Sequence, residues 1–183
     1  MNNLHKGWMV ALLLTGCIGA LTEASGGTDR SEYRSVPTRA TPEQTRLYKS
    51  ECGSCHMAYP PGLLPARAWE QVMGGLERHF GDNAELDGVT VESLQGFLIA
   101  NAADRTDDKL SRKFSTSLAA GDVPARISRV GYFVKEHRKI PEKIVRSPEV
   151  GSFSRCESCH PRAEQGSFEE GEIRVPGLGV WKD

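Results

Sequence analysis

The sequence predicts an all-α fold with little or no sheet, and three observations carry the prediction. Apolar residues recur at helical spacing in several separate stretches. Helix-start signals stand in front of them, the strongest being Thr41-Pro42-Glu43-Gln44. No strand-helix-strand alternation is legible anywhere. Only 38% of the 183 residues are hydrophobic, and there are 19 glycines and 10 prolines. That is a modest core for the length. A formal net charge of −1 gives no electrostatic case for a nucleic-acid partner.

The elements follow in order. Residues 1–24 read as an export signal, with Lys6 as the positive region and Trp8 to Leu14 as the apolar region. The apolar stretch is shorter than the roughly 20 residues a membrane span needs. Thr22-Glu23-Ala24 suits ordinary cleavage. Leu14-Thr15-Gly16-Cys17 resembles a bacterial lipobox, which would make Cys17 a lipid-bearing N-terminus instead. Both readings stand. Residues 25–40 are polar and aperiodic, as a flexible linker is. The remaining 41–183 form one domain with approximate halves 41–105 and 106–183.

Within that domain, Thr41 caps a helix that runs through Leu47 and Tyr48. Tyr59-Pro60-Pro61-Gly62-Leu63-Leu64-Pro65 precludes regular helix and reads as an apolar loop. A helix from Pro65 carries Trp69, Val72, Met73, Leu76 and Phe80 on one face, with His79 at its edge. Another starts at a Thr90 cap and turns Val91, Leu94, Leu98 and Ala102 inward. A further helix, about Ile127 to Arg138, aligns Ile127, Val130 and Val134, with His137 at the edge of the stripe. Ser147-Pro148-Glu149 starts a last helical segment.

Two of these segments lead into the same pentapeptide: Cys52-Gly53-Ser54-Cys55-His56 and Cys156-Glu157-Ser158-Cys159-His160. Cys-x-x-Cys-His is the attachment signature of c-type haem. Two neighbouring thiols add to the two vinyl groups of one porphyrin, and the following imidazole reaches the iron. Four of the five cysteines are used this way, leaving Cys17 as the odd one. Thioredoxin-like redox chemistry, a four-cysteine zinc site and structural disulfides are the rivals, and none requires a histidine after each pair. Covalent haem is attached outside the bacterial cytoplasm, so the export signal and a periplasmic location belong to the same reading.

Beyond the signal the chain has four histidines. His56 and His160 are the proximal ligands. His79 and His137 then match the two sixth positions, giving bis-histidine coordination at both irons. Met73 is the competitor for one of them. Closed, six-coordinate irons make an electron relay; an open site would make a dihaem peroxidase or small reductase. Arg138, Lys139, Lys143 and Arg146 either ring a docking edge or form an ordinary solvated surface. Asp82, Asn83 and Asp87 either orient the His79 ring or cap a turn.

The chain resembles the bacterial dihaem cytochrome c family. The resemblance rests on Glu51 to His56, Ala58 to Pro65, Trp69, His79-Phe80-Gly81-Asp82-Asn83-Ala84, Arg126-Ile127, the second pentapeptide and Ile173-Arg174-Val175-Pro176. It covers about residues 41 to 180. It implies cytochrome c-like helices packed around two covalently bound haems, with two histidine ligands on each iron. It also implies a periplasmic electron carrier whose partners are a small oxygen-binding c-type cytochrome or a membrane b-type cytochrome.

Overall fold

A computed structural model describes residues 40–181. The export signal over 1–24, Cys17 with its alternative lipid anchor, and the linker up to residue 39 lie outside the described residues. The described chain is mostly helical: α1 Pro42–Cys52, α2 Ala66–Met73, α3 Gly88–Ala100, α4 Lys109–Thr116, α5 Gly131–His137 and α6 Glu142–Val145. Short 3₁₀ turns stand between and after them. The sheet is a single antiparallel pair, β1 Arg174–Val175 and β2 Gly179–Val180, with Arg174 opposite Val180.

The local chemistry explains where the helices begin and end. The Thr41 hydroxyl accepts from the Gln44 amide and the Gln44 side chain accepts from the Thr41 amide, a complete capping box, with Pro42 in the first turn. The expected helix from Pro65 to Phe80 is shorter: α2 stops at Met73 because Gly74-Gly75 follows. A 3₁₀ turn, Leu76–Arg78, then brings the chain to His79, so this histidine does not sit on the α2 stripe. Phe80 is exposed and not turned inward. α3 is capped by Asp87 and not by Thr90. The Asp87 carboxylate accepts from the Val89 and Thr90 amides and from the Thr90 hydroxyl.

The expected helix over Ile127–Arg138 is broken. Ile127–Arg129 is a 3₁₀ turn, and Val130 is extended before α5 begins. That break resets the helical register. Val130 is fully buried but Val134 is exposed, and the inward residues of α5 are Phe133 and His137. Ser147-Pro148-Glu149 starts no helix: residues 147–150 form a turn, and the second pentapeptide opens as a 3₁₀ turn, Cys156–Ser158. Only the first motif is introduced by a helix. α4 and α6 had no counterpart in the sequence expectations.

One hydrophobic cluster joins Tyr48, Leu63, Leu64, Trp69, Met73, Leu94, Phe97, Leu98, Phe114, Val130 and Phe133. It therefore crosses the 105/106 boundary between the two approximate halves. α2 and α1 lie against α3, and α4 lies against α5 and the Pro61–Leu63 turn. The proline loop is held as part of this core. Pro61 to Leu64 are buried, the Trp69 indole donates to the Pro61 carbonyl at 2.8 Å, and the Ala103 amide donates to the Leu64 carbonyl at 2.8 Å. Pro65 lacks a capping side chain for α2, and Asp104 supplies one from a distance, accepting from the Ala66 amide at 2.8 Å.

Asp104→Ala is expected to cost about 0.5–2 kcal/mol, the value of a helix N-cap. Leu94→Ala, at a fully buried site, is expected to cost about 2–5 kcal/mol. Denaturant unfolding of the purified protein measures both. An Asp104 effect no larger than that of the exposed control Glu92→Ala would remove its capping role.

Candidate functional site

The four histidines outside the signal region come together as two pairs. His56 follows the end of α1, and its ring lies 6.2 Å, centroid to centroid, from that of His79, with 25° between the planes. His160 lies 6.1 Å from His137, with 59° between the planes. Two imidazoles that bound one metal from opposite sides, each at about 2.0–2.1 Å, would have ring centroids about 6 Å apart. Both separations are compatible with a metal held between the two rings.

Hydrogen bonds select the tautomer in each pair. His56 Nδ1 donates to the Met57 carbonyl at 2.7 Å, and His137 Nδ1 donates to the Phe133 carbonyl, one helical turn back, at 2.8 Å. Each bond leaves Nε2 with its lone pair for a metal. His160 Nδ1 is buried without a hydrogen-bond partner. Burial, the largest influence, lowers the pKa of His79, and the neighbouring His56 lowers it further. Burial also lowers His137. Burial and then His137 lower His160 to about 4. These three imidazoles are neutral at neutral pH, the form that binds metal.

The surroundings are aromatic. His137 stacks on Phe133 at 3.8 Å and 10°, and Phe153 meets its ring edge-on at 5.6 Å. Phe168 lies 5.3 Å from His160. These side chains line an apolar cavity together with Leu63, Val175, Trp181, Cys156 and Cys159. Both thiols and both imidazoles of the second pair thus face one apolar space of the kind a porphyrin needs. At the first pair Tyr59 stacks on His56 at 4.6 Å and 17°. Phe80 contacts His79 at 4.8 Å, and the Arg126 guanidinium lies 4.0 Å over the Phe80 ring. Phe80 has φ of 56°, in the left-handed region.

The rival chemistries fit less well. Cys52, Cys55, Cys156 and Cys159 are not joined by disulfides. Burial, first among the causes, pushes the Cys52 thiol up to about 11 and the Cys156 thiol up to about 12. Reactive Cys-x-x-Cys pairs need the opposite shift. Among the described residues no three His, Cys, Asp or Glu side chains converge as a zinc site would require.

Met73 is buried in the core cluster beneath α3, whereas His79 is the side chain that faces His56. Asp87 caps α3, and Asn83 accepts from the Glu85 amide, so both serve local turns. Asp82 donates its amide to the His79 carbonyl in the same turn. Arg138, Lys139, Lys143 and Arg146 are all exposed, with Arg146 paired to Glu142. Sequence reasoning missed the aromatic shell of Phe133, Phe153 and Phe168, and Arg126 over Phe80. Phe133 had a signal: it stands four residues before His137, one helical turn away. Phe153 and Phe168 had none, because they arrive from irregular chain.

The family model described as dihaem cytochrome c matches residues 48–168. Among solved structures, a dihaem cytochrome c from Shewanella baltica OS155 is 39% identical, with a TM-score of 0.63, covering 76% of this chain and 98% of that one. A dihaem cytochrome c from Rhodobacter sphaeroides is 37% identical, with a TM-score of 0.61, covering 67% and 95%. Curated proteins yield no significant match. The all-α architecture, the paired Cys-x-x-Cys-His motifs and these likenesses agree: the chain belongs to the dihaem cytochrome c family and carries two c-type haems.

Proposed function

We propose that the protein is a one-electron carrier in which all four outlying histidines ligate iron. Cys52 and Cys55 attach one haem and Cys156 and Cys159 the other. His56 and His79 hold the first iron; His160 and His137 hold the second. The single observation that carries this reading is the ring separation, 6.2 Å in one pair and 6.1 Å in the other. Membership of the family supports the haem-based electron-transfer role itself. Bound haem supplies the one-electron iron couple. The chain's part is to fill the axial positions, exclude water and set the potential. Filling both positions at both irons leaves no place for substrate, which favours a carrier over a peroxidase or reductase. Two imidazoles, in place of an imidazole and a thioether, hold the potential lower.

The location and partners belong to the same proposal. The charged and apolar stretches within residues 1–24 support export to the periplasm, through ordinary cleavage or through lipidation at Cys17. Among the described residues no helix is long and apolar enough to cross a membrane. A small oxygen-binding c-type cytochrome or a membrane b-type cytochrome is the proposed partner class. Exposed Arg138, Lys139, Lys143 and Arg146 support a transient, charge-guided encounter.

His79→Ala and His137→Ala are each expected to turn one of the two haems high-spin and open it to CO. Optical and magnetic spectra of the reduced and oxidised variants measure this. A variant that stays fully low-spin would show that its histidine is not a ligand, and CO binding by the unaltered protein would overturn the carrier reading. Replacing both cysteines of one motif, as in Cys156→Ala with Cys159→Ala, is expected to halve the haem that survives denaturing extraction. Retention of both haems in that variant would separate the motif from attachment.

A further inference from the structure

Tyr59 touches both sites. Its ring stacks on His56 at 4.6 Å and 17°. Its hydroxyl donates to the Ser154 carbonyl at 2.7 Å, across 95 residues of sequence and two residues before Cys156. Its own carbonyl accepts from the buried Tyr48 hydroxyl at 2.6 Å, so the core fixes its backbone. Pro60 restricts its conformation further. The segment it reaches has mainly short-range support: Ser154 donates its amide to the Ser152 hydroxyl, and the Arg155 amide donates to the Ser152 carbonyl. A turn built only from such bonds opens readily. The Tyr59 hydroxyl ties that turn to the first site.

We propose that Tyr59 is a positioning residue that keys the two haem sites to each other, orienting the His56 imidazole with its ring and the second attachment motif with its hydroxyl. The Tyr59 side chain then contributes directly to the coupling between the sites. Tyr59 contributes position and no redox equivalents. While bound haems exchanged an electron, the Tyr59 phenol would be neither oxidised nor deprotonated. The inference rests on the reading of His56 as an axial ligand.

The test uses the protein with both haems attached, comparing Tyr59→Phe and Tyr59→Leu with the unaltered chain. Tyr59→Phe keeps the ring on His56 and removes the tie to Ser154. Amide exchange over residues 152–158 is expected to accelerate about three- to ten-fold, the value of one net hydrogen bond, while exchange in α3 stays unchanged. Redistribution of an electron between the haems after flash reduction is expected to slow in Tyr59→Phe and to slow further in Tyr59→Leu. Tyr59→Leu, which also removes the ring, is expected to shift the magnetic spectrum of the His56 haem. The proposal is overturned if Tyr59→Phe redistributes electrons at the unaltered rate, whether or not local exchange rises. Should Tyr59→Leu fail to assemble, Tyr59→Phe decides alone. Failure of the axial-ligand reading has a separate signature, CO binding by the unaltered protein before any substitution at position 59.

Discussion

Four imidazoles stand in two pairs whose rings lie about 6 Å apart. Left to themselves, such rings would collapse on each other or turn to water. The fold prevents both. The Met57 and Phe133 carbonyls take up one Nδ1–H in each pair. Tyr59 backs His56 and Phe133 backs His137, face to face. α5 ends on His137, and a 3₁₀ turn after α2 ends on His79.

The side-chain core is small. The buried cluster is centred on α2 and α3, with α4 and α5 closing one side. The second site has aromatic residues on irregular chain around an apolar cavity. Bound haem would add to the apolar area that a globular chain of this length ordinarily draws from its own side chains. One cluster spans both halves, with most of its buried residues in 41–105.

What could be read in advance followed from chemistry that is local in sequence. The pentapeptides fix attachment because two thiols and an imidazole must lie within five residues. The capping box at Thr41 to Gln44 fixes the start of α1 for the same reason. Counting histidines against irons picked out His79 and His137, and the structure sets their rings beside those of His56 and His160, although the helices meant to carry them were drawn too long. The stripe through Phe80 overran Gly74-Gly75, where propensity outweighs a continuing apolar period. The stripe through Val134 overran Val130, whose extended backbone no periodicity reveals. α4 escaped notice because, among its inward residues, Phe114 is the large apolar one, beside a buried Ser111. Asp104, Tyr59 and Arg126 were illegible as partners because each acts at a distance, through an amide, a carbonyl or a ring far away in the chain.

Phe80 shows how such distant ties constrain a single position. Its backbone is left-handed, a conformation that glycine adopts freely and a residue with a Cβ adopts at a cost of about 1–3 kcal/mol. Relaxing the backbone by placing glycine there would also remove the ring that contacts His79 and carries the Arg126 guanidinium. Backbone comfort and the packing around His79 therefore pull this position in opposite directions. The chain has settled the conflict in favour of the ring, so the turn after His79 is held by a strained residue and not by a relaxed one.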